Sequence, residues 1–357
     1  MSKNSHSKIL NLSITIVGLF FYGNFVSAEA LSLPKDSEGW TIFTPSDDSR
    51  IMYVSADGND STGTVYDDDD AALGGNPFNP SGPINSFATY MAAYANTRDG
   101  YPDWVLFKRG DTFYQTVGSS HRSGRSDTEP FLVGAYGASG TSPLLKIGFM
   151  EGINIARTSP SVPSVARFMA FVGIKFYAYT RNPQDPEYVG GSGGGGFGAI
   201  AYNPGNEIKN ILIEGCNFSY QSGNGIQSGN GAELATDFDI RRNVFAYSYS
   251  ISSHAQGFYS YLTDRILLEE NIFDHNGWLV QSYDGGQAGG QATMFNHNTY
   301  FASVSNNVFR GNIFMRPSSM QNKFTAEYDS VNNIIENNLY IDGEIGIGMG
   351  TNYLNHE

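Results

Sequence analysis

The sequence predicts an all-β fold, a single-stranded right-handed parallel β-helix (a solenoid) with a short N-terminal capping helix. Three observations predict it: an aromatic residue that recurs along the second half of the chain, an Asn that recurs at a fixed distance before it, and a second series of alternating segments. Solenoids repeat one supersecondary unit, and each unit buries its apolar face only against its neighbours. The spacing of these series therefore indicates how the coils stack.

The first series consists of six segments that run apolar, polar, polar or Gly, usually Asn, any residue and then an aromatic. Its aromatics are Phe176, Phe218, Phe245, Phe273, Phe314 and Tyr340. The intervals between them are 42, 27, 28, 41 and 26 residues. Three intervals near 27 indicate one basic coil length, and we interpret the two long intervals as coils that carry an insertion.

The second series follows the aromatics at similar offsets, with one apolar residue between partners of other kinds. Its members are Gly225-Ile226-Gln227, Gly257-Phe258-Tyr259, Met294-Phe295-Asn296, Lys323-Phe324-Thr325 and Gly346-Ile347-Gly348. Successive side chains of a strand point to opposite faces, so this pattern suits one inward side chain flanked by outward ones. Two strand ladders per coil, stacked coil on coil, describe a parallel β-helix.

The recurring Asn occupies one register, at Asn243, Asn271, Asn312 and Asn338. Asn tolerates left-handed backbone angles, and its amide can bond the backbone of the next coil, so we predict a stacked Asn ladder along one turn. Cys216 occupies the same register in an earlier coil and is interpreted as a small buried residue. Because it is the only cysteine, no intrachain disulfide is expected and the core must supply the stability.

The segment before the coils reads as the entry to the solenoid. A short strand is predicted at Tyr53-Val54-Ser55, ahead of a stretch rich in Asp, Gly and Ser. The capped entry lies near residues 84–95, where Ser86 is predicted as the N-cap of a short helix that runs to Ala95. Phe87, Met91 and Tyr94 or Ala95 fall on one face of this helix.

The first residues read as an export signal. Lys3 and Lys8 give a positive start, an apolar stretch follows, and Val26-Ser27-Ala28 has the small-x-small pattern that precedes cleavage, here before Glu29. The protein is therefore expected to be secreted or periplasmic, with the cell surface as an alternative location. A retained membrane anchor is the competing interpretation of the same segment.

These signals divide the chain into a signal peptide at 1–28 and a parallel β-helix domain at 29–357. Within the domain, the entry and cap segment covers about 29–115 and the coils cover about 116–350. No polar cap is evident after the last coil, and solenoid ends usually need one, so a truncated C-terminus stays an open interpretation.

Charge and composition argue against several classes of binding partner. The chain has 21 Lys and Arg against 35 Asp and Glu, a net charge of −14, which argues against nucleic acid because phosphate binding needs clustered cations. The Gly-rich run at 190–198 lacks a following Lys-Ser/Thr, so no nucleotide is expected. No segment after the signal approaches 18 apolar residues, so no membrane contact is expected after cleavage, and we expect a monomer.

The combination of Tyr53-Val54-Ser55-Ala56-Asp57-Gly58-Asn59-Asp60, a short helix, Arg109-Gly110-Asp111-Thr112-Phe113 and the coils from 165 to 350 resembles the pectate-lyase-like parallel β-helix superfamily. The resemblance covers most of the domain and implies secreted enzymes that act on polysaccharides, often polymers of uronic acids. Its motifs are specific to the fold, and function has to be argued from the site. The sequence lacks the Arg-x-Pro-x-x-Arg motif of pectate lyases, the polygalacturonase set and the Asp-Pro-His of alginate epimerases.

The resemblance points to a lyase that cleaves an acidic glycan by β-elimination. Such an enzyme needs a cation to neutralise the C6 carboxylate and a base to remove the C5 proton. Arg316 or Lys323 could supply the charge, and His254, His275 or Tyr259 could act as the base. The candidate catalytic residues are thus His254, Tyr259, His275, Arg316 and Lys323.

Equal offsets from the coil aromatic predict columns of side chains across the coils. His275 and Arg316 both fall two residues after their aromatics, and His254 and Lys323 both fall nine residues after theirs, so each pair is expected to share a column. The predicted substrate-binding residues around them are Gln256, Asp274, Asn276, Trp278, Asn296, His297, Asn298 and Tyr300. If Phe295 points inward, His297 is also inward, which leaves Asn296, Asn298 or Tyr300 exposed.

Two other functions stay open. A glycoside hydrolase on the same scaffold would need two carboxyl groups ~5–9 Å apart, from among Asp264, Asp274, Asp284 and Glu327. A non-catalytic glycan-binding or adhesin β-helix would need only outward Tyr and Asn side chains.

No cofactor follows from the sequence, although Asp57 and Asp60 carry oxygen ligands of the kind that Ca²⁺ takes. A solvated acidic loop is the competing interpretation of the same residues.

Overall fold

A computed structural model describes residues 29–155, 165–229, 233–250, 254–278, 296–326 and 330–351. The predicted export signal at 1–28 lies outside these residues. Within the described ranges the chain forms 26 strands, one α-helix and one 3-10 helix.

The entry segment and the first coils contain β1 (Arg50–Val54), β2 (Val65–Asp67), α1 (Tyr90–Tyr94), β3 (Trp104–Lys108), β4 (Thr112–Phe113), β5 (Gly118–Ser119), β6 (Phe131–Tyr136), β7 (Leu144–Lys146) and β8 (Ile153–Asn154). The middle coils contain β9 (Val165–Val172), β10 (Lys175–Tyr177), the 3-10 helix (Tyr179–Arg181), β11 (Phe197–Ala201), β12 (Glu207–Glu214), β13 (Asn217–Ser219), β14 (Asn224–Ser228), β15 (Leu234–Arg241), β16 (Val244–Ala246) and β17 (Gln256–Tyr261). The last coils contain β18 (Asp264–Glu269), β19 (Ile272–Asp274), β20 (His297–Ala302), β21 (Val308–Arg310), β22 (Ile313–Met315), β23 (Met320–Ala326), β24 (Ile334–Glu336), β25 (Leu339–Ile341) and β26 (Ile345–Thr351).

The strands form three long sheets that run along the solenoid axis. Sheet I has the order β2-β1-β3-β6-β9-β12-β15-β18-β21-β24, sheet II runs from β4 to β25, and sheet III runs from β5 to β26. From β3 onward each coil contributes one strand to each sheet, and every pairing is parallel except that of β1 with β2. The predicted parallel β-helix is confirmed, with three strand ladders per coil where the sequence had indicated two.

The turn between sheets I and II explains why the coils repeat. The residue before each ladder position has a positive φ between 53° and 70°, at Gly173, Gly215, Arg242, Glu270, Gly311 and Asn337. The Asn residues that follow are stacked: Asn271 Nδ2 donates to the Ile240 carbonyl oxygen (2.8 Å) and to Asn312 Oδ1 (3.0 Å). The predicted Asn ladder is confirmed, because each amide satisfies backbone groups that the turn leaves without partners.

Cys216 continues the ladder as a buried residue, as predicted. Its backbone N–H donates to Asn243 Oδ1 (2.9 Å), and burial raises the pKa of its thiol to about 12. The thiol is therefore protonated at neutral pH, so it is not a nucleophile.

The aromatics of the first series form a stack inside sheet II, in one register from Phe176 to Tyr340. Neighbouring rings are nearly parallel, with centroids 4.9–5.4 Å apart. Each stacked pair contributes ~0.5–1.5 kcal/mol beyond the burial of its area. The repeat found in the sequence is thus the core of the solenoid.

The register predicted for the second series is wrong in part. Sheet III pairs Ile226 with Ser260, Ser260 with Phe301, Phe301 with Phe324 and Phe324 with Met349. Phe258 points inward but lies two residues from the predicted alignment, and Phe295 lies outside the described residues. The physical reason is the variable length of the turns that lead into sheet III.

The capping helix is shorter than predicted and starts later. Helix α1 spans Tyr90–Tyr94, and its N-cap is Thr89, whose side chain accepts from the Ala92 N–H, so Ser86 is not the cap. Tyr90 is buried, whereas Met91 is 60% exposed and does not face the core.

The first described residues cross the outer face of sheet I. Ala30 is buried, its N–H donates to Asp239 Oδ2 (3.1 Å), and the Thr41 N–H donates to Glu214 Oε2 (3.1 Å). Underneath, Arg241 bridges Glu214 (3.5 Å) and Glu269 (2.8 Å). This segment therefore shields part of a charged ladder on the outer face of sheet I.

Among the described residues, no helix has the length and apolar character that crossing a bilayer requires.

Candidate functional site

The outer face of sheet III holds three of the predicted site residues in one column. Tyr259 pairs with Tyr300, and Tyr300 pairs with Lys323, on adjacent strands. Their chain neighbours Phe258 and Phe301 are in the core, so alternation turns Tyr259, Tyr300 and Lys323 outward. The two tyrosine rings meet edge to face at 5.5 Å, and Lys323 Nζ lies 4.7 Å from the Tyr300 ring centroid.

Lys323 is a cation without an acidic partner in the part of the chain that the structure describes. Its Nζ instead contacts the Tyr300 ring face, an interaction that contributes ~0.5–1 kcal/mol at exposed sites. The Tyr300 hydroxyl accepts a hydrogen bond from Thr325 Oγ1 (3.2 Å). The ammonium is thus held in place while its charge stays available to a ligand.

The same column is flat on both sides of this cluster. Gly198 and Gly225 precede Tyr259 in the column, and Gly348 follows Lys323. Glycine has no side chain to rise from the sheet, so the cluster stands on a strip that is otherwise low. The space above Gly198 is open, whereas the Met320 side chain lies over Gly348 and Tyr259 lies against Gly225.

His254 and Lys323 do not share a column, so that prediction is wrong. Lys323 aligns with Tyr259, which lies five residues after His254. The coil between Phe245 and β17 has a longer turn than the coil that carries Lys323, so equal offsets do not give equal registers. His254 is exposed at the start of β17, and both it and Lys323 act electrostatically on the buried His297.

His297 lies inside the solenoid, as alternation had indicated, in register with Gln256. Burial, with smaller contributions from the charges of Lys323 and His254, lowers the pKa of its imidazole from 6.5 to about 4. Both His297 and Gln256 are buried side chains that belong to the inner lining of sheet III. They lie on the inner side of sheet III and do not reach the outer face that carries Tyr259, Tyr300 and Lys323.

The depressed pKa of His297 predicts a loss of stability in mild acid. The unfolded chain binds the proton near pH 6.5 and the native protein only near pH 4. Keeping His297 neutral therefore stabilises the fold fully above pH 6.5. This stabilisation disappears as the pH falls to 4, and its upper limit is roughly 3 kcal/mol of unfolding free energy. We expect His297→Gln, which copies Gln256 of the adjacent strand, to weaken this dependence in urea unfolding at about pH 7.5 and about pH 5. Parallel pH profiles of variant and wild type would contradict it.

The predicted column of His275 and Arg316 is confirmed. Tyr247 and His275 stack at 5.2 Å, and the His275 N–H bonds the Met315 carbonyl just before Arg316. Asp274 joins the two, because its Oδ1 accepts from Arg316 Nε (2.8 Å), its Oδ2 from Arg316 Nη2 (2.6 Å), and its Oδ1 lies 2.7 Å from His275 Nδ1.

Trp278 closes this cluster. Its ring stacks on His275 at 6.3 Å, and its Nε1 donates to the Arg316 carbonyl oxygen (3.0 Å). With Tyr247 on the other side, His275 is covered by rings, and the carboxylate of Asp274 neutralises Arg316. The contacts that hold this cluster in place therefore also occupy the His275 imidazole and the Arg316 guanidinium, the two groups predicted to take part in catalysis.

Five of the eight predicted substrate-binding residues are buried, namely Gln256, Asn276, Asn296, His297 and Asn298. Of the three residues expected to be exposed, only Tyr300 points outward, so the prediction is wrong for Asn296 and Asn298. Asn296 Oδ1 accepts from the Ala255 N–H (2.8 Å), and Asn276 Nδ2 donates to Asn298 Oδ1 (2.9 Å). Asn298 continues to Gln321 Oε1 (2.6 Å). These amides form a second set of stacked bonds, at the turn between sheets II and III, and serve the backbone.

Asp57 and Asp60 have different environments. Asp60 accepts from the Ala88 N–H (2.8 Å), the Thr89 N–H (2.9 Å) and Thr89 Oγ1 (2.9 Å), so its oxygens fix the start of α1. Asp57 is exposed on the wall of a cavity. Within the described ranges, no three His, Cys, Asp or Glu side chains converge as metal ligands would.

Sequence reasoning missed Tyr261 and Thr325 as members of the cluster on sheet III. Tyr261 lies two residues after Tyr259 on the same face of sheet III, and Thr325 stands in the same relation to Lys323. The signal was present as alternation within each strand, but it could be used only with the right register.

Comparison with known proteins finds only distant similarity to solved structures. No protein-family model matches the chain, and no curated protein matches its sequence. Similar solved structures include a GH136 lacto-N-biosidase from Eubacterium ramulus, at 12% identity and TM-score 0.47 over 84% of this chain. A rhamnogalacturonan lyase has 11% identity and TM-score 0.39 over 85% of this chain and 67% of its own. An alginate lyase from Paenibacillus sp. str. FPU-7 has 11% identity and TM-score 0.27, over 71% of this chain and 95% of its own.

The chain spans 57% of the length of the lacto-N-biosidase. With every TM-score below 0.5, the substrate and reaction of this chain have to be inferred from its own side chains.

Proposed function

We propose that the protein is an exported, carbohydrate-active enzyme that cleaves a uronic-acid-containing polysaccharide by β-elimination on the outer face of sheet III. The observation that carries this proposal is Lys323, a half-buried cation with no acidic partner among the described residues, aligned with Tyr300 and Tyr259 on the outward face of sheet III.

The first chemical requirement is a positive charge for the C6 carboxylate. Neutralising that carboxylate acidifies the C5 proton, because the negative charge that develops on abstraction is then stabilised. Lys323 meets the requirement better than Arg316, whose guanidinium is already bound by both oxygens of Asp274. The proposal therefore assigns carboxylate binding to Lys323.

The second requirement is proton transfer to and from the sugar. His254 is exposed two residues before β17, the strand that carries Tyr259, and an imidazole nitrogen can accept a proton, so we assign it as the base. Tyr259 lies in the column of Lys323 and has a hydroxyl that can donate to the leaving oxygen. His275 is assigned no role in proton transfer, because Asp274 holds its Nδ1 and rings cover it.

The glycan would lie along the solenoid axis over the glycine positions of the strip. Tyr261 and Thr325 flank the path two residues beyond the central column and offer hydroxyl groups to it. Export is part of the proposal, since a polysaccharide substrate lies outside the cell. It is supported by Lys3, Lys8 and the small-x-small triplet before Glu29.

A hydrolase has weaker support, because it needs two free carboxyl groups. Asp274 is bound by Arg316, and Asp264 is bound by Arg265 and by Asn306 Nδ2 (2.6 Å). The other two carboxyl groups considered from the sequence, Asp284 and Glu327, lie outside the described residues.

One assay separates the three functions. The purified mature protein is incubated with alginate, pectin, glycosaminoglycans and neutral glycans, and ultraviolet absorbance and reducing ends are followed together. We expect absorbance from unsaturated products on at least one uronic-acid polymer. Reducing ends without absorbance would replace the proposal with a hydrolase, and binding without either signal would replace it with a glycan-binding β-helix.

A further inference from the structure

A polar cavity lies near the N-terminal end of the solenoid, where the entry segment meets the first two coils. It has a volume of about 490 Å³ and is open to solvent. Its walls include Asp57, Asn79, Asn85, Lys108 and Tyr136. Lys108 is in the first coil and Lys323 in the seventh, so at ~4.8 Å per coil the cavity is roughly 25–30 Å from the strip of sheet III.

The walls are fixed to one another by backbone hydrogen bonds. The Ser55 N–H donates to the Phe87 carbonyl (3.0 Å), and the Asn59 N–H donates to the Ser86 carbonyl (2.9 Å). On the other side, the Gly137 N–H donates to the Phe78 carbonyl (2.8 Å). The cavity is therefore formed before a ligand arrives, which reduces the entropy that binding would cost.

The floor of the cavity is made of buried hydroxyl groups. Ser86 Oγ and Tyr136 Oη lie 3.2 Å apart, and Ser55, Ser86 and Tyr136 are each at least 91% buried. Burial raises the pKa of the Tyr136 hydroxyl, which therefore stays protonated and can donate. A ligand that reaches the floor meets neutral groups that both donate and accept.

The rim carries polar side chains that the protein itself does not use. Among the described residues, the side chains of Asp57, Asn79, Asn85 and Lys108 have no hydrogen-bond or ion-pair partner. By contrast, both carboxylate oxygens of Asp60, three residues after Asp57, accept hydrogen bonds from Ala88 and Thr89. In this acidic loop, Asp60 therefore stabilises the local fold, whereas Asp57 faces the cavity.

The charges on the rim select a neutral ligand. Asp57 would repel an anion and Lys108 would repel a cation, whereas a hydroxyl group can donate to the first and accept from the second. Asn79 and Asn85 add one amide donor and one carbonyl acceptor each, and Ile84 adds an apolar wall. Vicinal hydroxyl groups on a partly apolar ring satisfy all of these groups together.

We infer that this cavity binds a single neutral sugar unit, at a site separate from the strip on sheet III. The site is independent of the proposed cleavage, because it shares no residue with the column of Lys323. It would give the solenoid a second point of attachment to a glycan, and two linked sites bind a polymer more tightly than either alone.

The test is a binding titration of the full mature chain with D-glucose, D-galactose, D-mannose and D-glucuronate, followed by NMR or calorimetry. We expect at least one neutral sugar to bind, and the double variant N79A/N85A to bind it about tenfold more weakly or worse. Both side chains are exposed and without protein partners among the described residues, so the variant should fold, which circular dichroism checks.

Lys323→Gln serves as the matched control, since it should leave the binding of the neutral sugar unchanged while removing cleavage. Three results would overturn the inference: no neutral sugar binds, D-glucuronate or added calcium chloride binds in preference, or N79A/N85A binds as well as wild type. Loss of cleavage in Lys323→Gln bears only on the proposed function, so the two proposals can fail separately.

Discussion

Replacing Lys323 by Gln is expected to lower kcat/KM on the cleaved polymer by about 10²–10³-fold, since removing one group that stabilises developing charge typically costs that much. Lys323 has no acidic partner among the described residues, so its removal leaves no buried carboxylate unpaired. Its main contact is with the exposed face of Tyr300. The protein should therefore stay folded, and the loss should appear in turnover measured from ultraviolet absorbance.

Lys175→Gln is the matched control. Lys175 precedes the inward Phe176 on β10, so it also points outward, but from sheet II. It should keep wild-type activity, and a general effect of net charge would show as a similar loss in both variants. Arg316→Gln should have a smaller effect than Lys323→Gln, because Asp274 already neutralises that guanidinium. Wild-type turnover in Lys323→Gln would remove sheet III as the site.

The fold could be predicted because the residues that form its turn and its core are restricted in type. Only a few residues suit a position such as Asn271, where a side-chain amide must bond two adjacent coils, so the same residue recurs. The rings from Phe176 to Tyr340 recur for a related reason, since each must stack on the ring before it. Such a repeat is visible in sequence even when coil lengths differ.

The site was only half predictable, because the turns between sheets II and III vary in length. His275 and Arg316 follow their aromatics by two residues, with no turn in between, and the column they predict is confirmed. Lys323 follows its aromatic by nine residues, across such a turn, and its true neighbours are Tyr300 and Tyr259. The distance from the coil aromatic therefore predicts the strand register only for residues that precede a turn of variable length.

Burial of polar residues was the other obstacle. Asn296 and Asn298 flank a histidine and read as a polar run on a glycan-binding surface, yet both are buried and bond to backbone or to other amides. In a solenoid, an Asn that faces a ligand and an Asn that satisfies a turn have the same neighbours in sequence. Only the position of each residue relative to the inner face distinguishes them.

Asn271→Ala is expected to lower the free energy of unfolding by about 3–5 kcal/mol. The substitution removes the partner of the Asn243 N–H (2.9 Å) and of the Ile240 carbonyl (2.8 Å), both buried. Each buried polar group left without a partner costs about 1–3 kcal/mol. Urea unfolding followed by circular dichroism measures the change.

Asn338→Ala is the comparison that separates the ladder from a general intolerance of Ala at this turn. Asn338 makes the equivalent bonds, to the Phe309 carbonyl (2.7 Å) and from the Asn312 N–H (2.9 Å), but it is only half-buried. Water can replace those bonds, so its loss should cost about 1–2 kcal/mol. Equal losses in the two variants would mean that turn geometry, and not buried hydrogen bonding, stabilises the stack. In that case the positive φ of the preceding residue, near 55° at both Glu270 and Asn337, would be the dominant constraint.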